Sequence, residues 1–170
     1  RNLVNEIKVA QLAGYVSENS AYHHGEASLA GTIVNLAQTF VGSNNIALLD
    51  GVGQFGTRIQ GGKDAGQPRY IFTRLSKITN NIFSKLDAPL LNDNYDDGMK
   101  VEPEYYVPIM PMILVNGSSG IGTGWSTDIP SFNPSDIKAN IKRGLNGLEM
   151  KPMKPWYNGF KGQITKISDN

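Results

Sequence analysis

Cysteine is absent from the 170 residues, which excludes disulfides and thiolate metal sites. No apolar run approaches the ~20 residues that a membrane-spanning helix needs. No basic start, apolar middle and small-residue cleavage site marks a secretory leader. Charge of one sign is missing too: sixteen Lys and Arg stand against fifteen Asp and Glu, a net of +1. That balance names no partner, because nucleic-acid binding depends on where the basic residues gather. Internal repeats and low-complexity tracts are also lacking. What remains is the expectation of an intracellular globular protein, which 39% hydrophobic and 18% charged residues fit. The length allows one good core, or one core and the start of a second.

Glycine is abundant, and it bunches: Gly51-Val52-Gly53, Gly61-Gly62 and Gly120-Ile121-Gly122-Thr123-Gly124. Between these bunches the periodicity changes. Val9, Leu12, Ala13 and Val16 predict a helix within 3–17, and Ala30, Ile33, Val34, Ala37 and Phe40 predict another within 25–41. The polar connection 19–25 makes the pair a helix-turn-helix candidate, although many helical hairpins never touch DNA. Ile46, Leu48 and Leu49, then Phe55, Thr57 and Ile59 in alternation, predict a β-hairpin within 42–68. Ile71, Leu75, Ile78 and Ile82 suggest a further helix directly after Pro68-Arg69-Tyr70. Helices, a two-stranded wing and another helix form the pattern of a winged-helix domain.

Beyond residue 90 the acidic turn Asn92–Gly98 precedes a β-rich stretch, 101–115, broken by Pro103, Pro108 and Pro111, which suits irregular or edge strands. Asn133-Pro134-Ser135-Asp136 is a helix start: an Asn cap, Pro at the first position and an early acid. Ile137, Ile141 and Leu145 mark its buried face, with Gly144 and Gly147 at its end. The tail alternates like a strand from Gly162 to Ile167, and Arg1 opens inside a helix-like pattern, so a piece of a longer protein is expected. The expected division is 1–90 and 91–170.

Read alone, Gly61-Gly62-Lys63-Asp64 through Pro68-Arg69-Tyr70 is a Gly-rich turn entering a helix, with Tyr70 a half-buried aromatic. Gly120–Gly124 reads as a strained turn or a phosphate loop, without the Lys-Ser/Thr of a nucleotide motif. His24 and Glu26 lack the helical spacing of a zinc site.

The assembly carries more than its parts. Tyr-His-His-Gly-Glu (22–26), Phe-Val-Gly-Ser-Asn-Asn (40–45), Gly-Gln-Phe-Gly-Thr-Arg (53–58), Gly-Gly-Lys-Asp (61–64), Pro-Arg-Tyr-Ile-Phe-Thr (68–73) and Asn-Gly-Ser-Ser-Gly-Ile-Gly-Thr-Gly-Trp-Ser (116–126) occur in order. Over nearly the whole chain this series resembles the breakage-reunion core of type II DNA topoisomerases. The spelling of the lysine and tyrosine motifs is similar to the eukaryotic type. The resemblance implies an α+β fold: a winged-helix domain (helix-turn-helix plus β-wing) in 1–90, then the N-terminal part of an α/β tower domain in 91–170.

It also implies roles. Tyr70 would attack the DNA backbone, forming a 5′-phosphotyrosyl intermediate. Arg69 would sit beside the scissile phosphate, and His24 would hydrogen-bond that phosphate or assist proton transfer. Lys63 and Arg58 would contact phosphates, and Ile121 would wedge between base pairs. Gln54 and Ala27 match positions lining the cleavage site, while Trp125, Phe40 and Phe72 read as core. The resemblance further implies double-stranded DNA as partner, a homodimer, a nuclear location, and Mg²⁺ and ATP held by domains outside these residues. Asp64, Asp93, Asp96 and Asp97 do not match the family's metal cluster, so no metal site is expected here. The alternatives are a non-catalytic winged-helix DNA-binding module, a meiotic break-forming relative and a bacterial-type enzyme.

Overall fold

A computed structural model describes residues 3–168 of the chain. It is an α+β protein that divides by contact into two compact units, Arg1–Gln38 with Ala47–Ile109 and Thr39–Ile46 with Met110–Asn170. The division after Ile109 falls later than the expected 90/91, because the intervening segment bonds back onto the first unit. There Ile109 N–H donates to Ile82 O, and Glu102 accepts from Ala21 N–H.

In the first unit, strand β1 (Ile7–Lys8) runs directly into helix α1 (Val9–Glu18), and helix α2 (Glu26–Ala37) follows the turn. Strands β2 (Leu49–Val52) and β3 (Phe72–Leu75) complete an antiparallel sheet in the order β1-β3-β2. The expected first helix is therefore shorter than 3–17. Ile7 and Lys8 pair with Thr73 and Phe72 instead of winding up. Helical spacing of Val9, Leu12 and Ala13 on α1, and of Leu29, Ala30, Ile33, Val34 and Ala37 on α2, turns one face of each helix inward. These faces join Ile7, Leu49, Phe55 and Ile71 in one core.

Two expectations fail at the sheet. The apolar run at 48–49 becomes β2, but its partner is β3, with Leu49 opposite Leu75 and Val52 opposite Phe72. Residues 55–59 form no strand, so the expected local hairpin is replaced by a long loop, 53–71. Nor does a helix follow Tyr70. Ile71, Thr73 and Leu75 alternate as a strand, and helix α3 is only Thr79–Ile82. The Thr73 side chain, fully buried at the centre of the sheet, donates to Asp50 O at 2.9 Å. A 3₁₀ turn (Lys85–Leu90) and a small hairpin of β4 (Tyr95–Asp96) and β5 (Met99–Lys100) finish the unit, and no strand forms in 101–111.

The second unit holds helix α4 (Met112–Asn116), a hairpin of β6 (Ser118–Gly122) and β7 (Trp125–Ile129), and helix α5 (Pro134–Leu145). The α5 start is as expected: the Asn133 side chain accepts from Ser135 N–H at 2.9 Å, and Pro134 opens the helix. Its buried face is Ile137 with Asn140, however, and Leu145 is exposed. Asn140 is held by Lys151 through both backbone groups, which turns the following chain across the helix. The stretch 162–168, expected as a strand, is irregular.

Asn45 organises this unit. Its side-chain amide donates toward the carbonyls of Val115, Phe132 and Trp156 at 2.9, 3.2 and 3.0 Å. Its side-chain oxygen accepts from Asn158 N–H at 2.8 Å. Asn116 brackets the neighbouring Ile46 through both of that residue's backbone groups. The Phe-Val-Gly-Ser-Asn-Asn motif is thus scaffold. Asn45→Asp conserves the shape but sets a carboxylate against three carbonyls, and should cost about 2–3 kcal/mol in urea unfolding of the chain. An unchanged midpoint would show that these bonds contribute nothing.

Candidate nucleic-acid interface

Tyr70 lies near the end of the loop 53–71, two residues before β3 begins at Phe72. The alternation that buries Ile71 (3% exposed) turns Tyr70 outward (67% exposed). Its backbone N–H closes a turn onto Gln67 O at 2.8 Å. The flanking carbonyls are held from outside the loop: Val9 N–H donates to Ile71 O and Ala10 N–H to Pro68 O, each at 3.0 Å. These donors sit in the first turn of α1, where backbone N–H groups have no partner within the helix. The Arg69 guanidinium lies 4.8 Å from the centre of the Tyr70 ring, a cation over a π face.

The preceding loop is built to show cations to solvent. Asp64 accepts from Thr57 N–H at 2.7 Å and from the Thr57 hydroxyl at 2.8 Å, closing the turn between them. Gln38 ties its base, donating to Phe55 O at 2.9 Å and Gly62 O at 3.2 Å. Gly56, with φ +96°, admits the Gly62 backbone so closely that a Cβ would meet Gly62 Cα at 2.6 Å. Arg58 and Lys63 ride on this loop, both exposed. Gln54 is exposed too, and its carbonyl accepts from Gly66 N–H at 2.8 Å. A cleft of about 470 Å³ between α2 and the loop is lined by Ala27, Gly31, Lys63, Gly66 and Pro68, among others. It brings the expected residues Ala27 and Lys63 together.

His24 ends the turn between the helices, exposed, with its ring edge-on to Tyr22 at 5.5 Å. No hydrogen bond joins His24 to Tyr70 or Arg69 among the described residues. In the second unit, the β6–β7 hairpin turns at Thr123–Gly124 and carries Ile121 (95% exposed) beside Gly120 and Gly122. Trp125, expected in a core, is 86% exposed at the same end. Phe72 and Phe40 are both half-buried, so neither is fully sunk in a core.

The acids have other work. Asp64 serves Thr57, Asp93 takes the Lys100 ammonium at 2.6 Å, and Asp96 pairs with His23 at 3.2 Å. Among the described residues, no three His, Asp or Glu side chains gather to hold an ion, so these residues do not fit a Mg²⁺ site. No helix among them is long and apolar enough to cross a membrane. Asp64 is the residue whose role the sequence hides, since Thr57 and Asp64 give no local sign that they will meet.

An exposed tyrosine beside an arginine, on a loop of cations braced by a helix pair, defines a surface suited to a polyanionic backbone. The comparisons give that surface its family. Residues 1–170 match the family of DNA gyrase/topoisomerase IV A subunits, and the chain belongs to it. It is 60% identical to DNA topoisomerase 2 of Bombyx mori over 169 residues, which is 99% of this chain and 11% of that protein. It is also 60% identical to DNA topoisomerase 2 of Candida albicans, over 96% of this chain and 11% of that one. The solved Plasmodium falciparum topoisomerase II DNA-binding, cleavage and re-ligation domain superposes with a TM-score of 0.95 at 56% identity. That match covers 98% of this chain and 23% of the other. The chain therefore spans about a tenth of the length of such relatives.

The Thr57 backbone N–H holds the Asp64 carboxyl below the ordinary carboxylate value. A lowered folded pKa means that the clamp is complete at neutral pH and is lost as pH falls through that lowered value. The Asp64 carboxyl should titrate below a model peptide's, and Asp64→Ala should speed amide exchange at Thr57 and Gly62. Unchanged exchange would mean that the loop holds without the clamp.

Proposed function

We propose that this chain is the strand-cleaving part of a type II DNA topoisomerase, with Tyr70 as the nucleophile. The first unit is read as its winged-helix domain and the second as the start of its tower domain. The observation that carries the reading is the exposed Tyr70 beside Arg69, on a loop that a helix pair braces from behind.

The chemistry is phosphoryl transfer. The Tyr70 oxygen attacks a backbone phosphorus, the new O–P bond forms as the bond to O3′ breaks, and the phenolic proton is in net terms transferred to the departing O3′. One phosphodiester replaces another, so the reverse attack by the 3′-hydroxyl reseals the strand with no external energy. A phenol with a pKa near 10 is a poor nucleophile unaided. Arg69 supplies positive charge to the pentavalent phosphate, and its planar fork matches two phosphate oxygens. His24 hydrogen-bonds the phosphate or takes part in proton transfer. Lys63 and Arg58 grip flanking phosphates, a salt-dependent contact that ignores sequence. Gln54 and Ala27 line the cleavage site.

Ile121 is the wedge. A β-branched side chain is stiff, and its glycine neighbours let the backbone approach a duplex closely. Bending the duplex costs a few kcal/mol, which the phosphate contacts offset. The parent enzyme is proposed to be a nuclear homodimer that passes one duplex through another. It would use Mg²⁺ and ATP bound by domains outside this chain.

Covalent trapping tests the nucleophile. The parent protein, incubated with labelled supercoiled DNA and Mg²⁺ and denatured with detergent, should carry DNA by its 5′ ends, and Tyr70→Phe should carry none. Equal trapping makes Tyr70 structural, and binding without trapping in both favours a non-catalytic DNA-binding module. Ile121→Ala should bind DNA yet bend it less in an end-to-end energy-transfer assay, and full bending would remove the wedge.

A further inference from the structure

The turn that carries His24 is held by residues from far along the chain. Its local bonds lie toward its ends: Asn19 Nδ2 donates to Tyr15 O at 2.8 Å, Ser20 Oγ to Val16 O at 2.6 Å, Tyr22 N–H to Ser20 Oγ at 3.3 Å, and the Tyr22 hydroxyl to Ser28 Oγ at 3.0 Å. Two further bonds come from the acidic segment that follows the 3₁₀ turn. Ala21 N–H donates to Glu102 Oε2 at 3.0 Å, and His23 Nε2 meets Asp96 Oδ2 at 3.2 Å. These alternate with Tyr22 and His24, whose rings touch each other. The two adjacent histidines thus have different partners, and the acids hold the residues on either side of Tyr22.

The segment that supplies the acids is itself braced. Tyr95 pairs with Lys100 and Asp96 with Met99 across a turn in which Asp97 and Gly98 both have positive φ, 48° and 80°. Lys100 Nζ reaches Asp93 at 2.6 Å, Val101 N–H donates to Asn94 O at 2.9 Å, and Asn92 Nδ2 donates to Glu104 at 3.0 Å. Such exposed pairs contribute little to stability. Carboxylates near a surface that takes up a polyanion also work against binding. Neither stability nor affinity accounts for them, whereas geometry does.

We propose that Asp96 and Glu102 are positioning residues that clamp the 19–25 turn and so keep His24 aimed at the scissile phosphate. The proposal rests on the reading of His24 given above. The clamp acts through hydrogen-bond acceptance. At Glu102 a neutral amide oxygen therefore serves as well as a carboxylate.

The experiment uses the full-length parent enzyme, with single-turnover cleavage of a labelled duplex and DNA affinity measured in parallel. Asp96→Ala/Glu102→Ala should slow cleavage about tenfold, a modest loss for a misplaced catalytic group. Its DNA Kd should stay within about twofold, since the changes leave the phosphate-contacting cations alone. Glu102→Gln should cleave at the wild-type rate. His24→Ala should be slow, and adding the two clamp substitutions to it should slow it no further, because residues acting as a unit are not additive. Wild-type cleavage by the clamp variant, with His24→Ala slow, overturns the clamp and leaves the reaction reading intact. A further tenfold loss in the triple variant, or a fall in rate matched by one in affinity, also overturns it. Wild-type cleavage by His24→Ala removes the role of His24, and the clamp with it, while Tyr70→Phe trapping still judges the nucleophile separately.

Discussion

Val9 and Ala10 lie in the first turn of α1, where a backbone N–H finds no carbonyl one turn back. Both donors are spent on the carbonyls of Ile71 and Pro68, which enclose Arg69 and Tyr70. A buried helix end left unpaired would be costly, so the loop and the helix fix each other. The same segment is anchored again by Ile71, sunk in the core, and by Thr73, hydrogen-bonded at the centre of the sheet. A side chain on a long loop is normally placed imprecisely. Here the last residues of the loop are tied to the sheet they enter, and the Arg69 and Tyr70 side chains are left to face outward.

Electrostatics follow from what each charge already does. Arg74 is paired with Asp50 and Glu6 across the sheet, and Lys100 with Asp93. Arg58 and Lys63, by contrast, stand on a loop whose one acid, Asp64, is engaged by Thr57. The near-zero net charge of the chain is therefore compatible with a local surplus of positive charge beside Tyr70. On the proposed reading, that local surplus and not the net balance steers the phosphate backbone to the tyrosine.

The parts that were legible in the sequence are those with local causes. The two helices follow from apolar spacing, and α5 begins at its Asn-Pro signal because capping is a short-range interaction. The motif series puts Tyr70, Arg69 and Lys63 within one loop, and no tertiary contact is needed to see it. What misled was the run Ile71, Leu75, Ile78, Ile82, which satisfies helical spacing while Ile71, Thr73 and Leu75 equally satisfy alternation. The partner decides, and β2 lies about twenty residues upstream. Strand β1 is two residues long, too short for any periodicity to declare. Trp125 looks like core by residue type alone, and only the hairpin register puts it outside.

That register separates two exposed side chains that sequence proximity would group together. Gly122 pairs with Trp125 and Ile121 with Ser126, so Ile121 and Trp125 lie on opposite faces of the hairpin. From Ser118 to Thr127 there is no charge, only glycine, hydroxyl side chains and these two apolar ones. Leaving a large apolar side chain in water forgoes about 1.5–3 kcal/mol of burial. A hairpin that does so at its tip, while its backbone pairs completely, trades burial for access. On the proposed reading Ile121 recovers that burial between base pairs, and an uncharged, small-residue strand is what allows its backbone close to DNA. A longer, more flexible side chain there would lose more rotamer freedom on insertion, and a charged one would carry its hydration with it. Within the hairpin, β-branched isoleucine between two glycines is the arrangement that keeps both costs low.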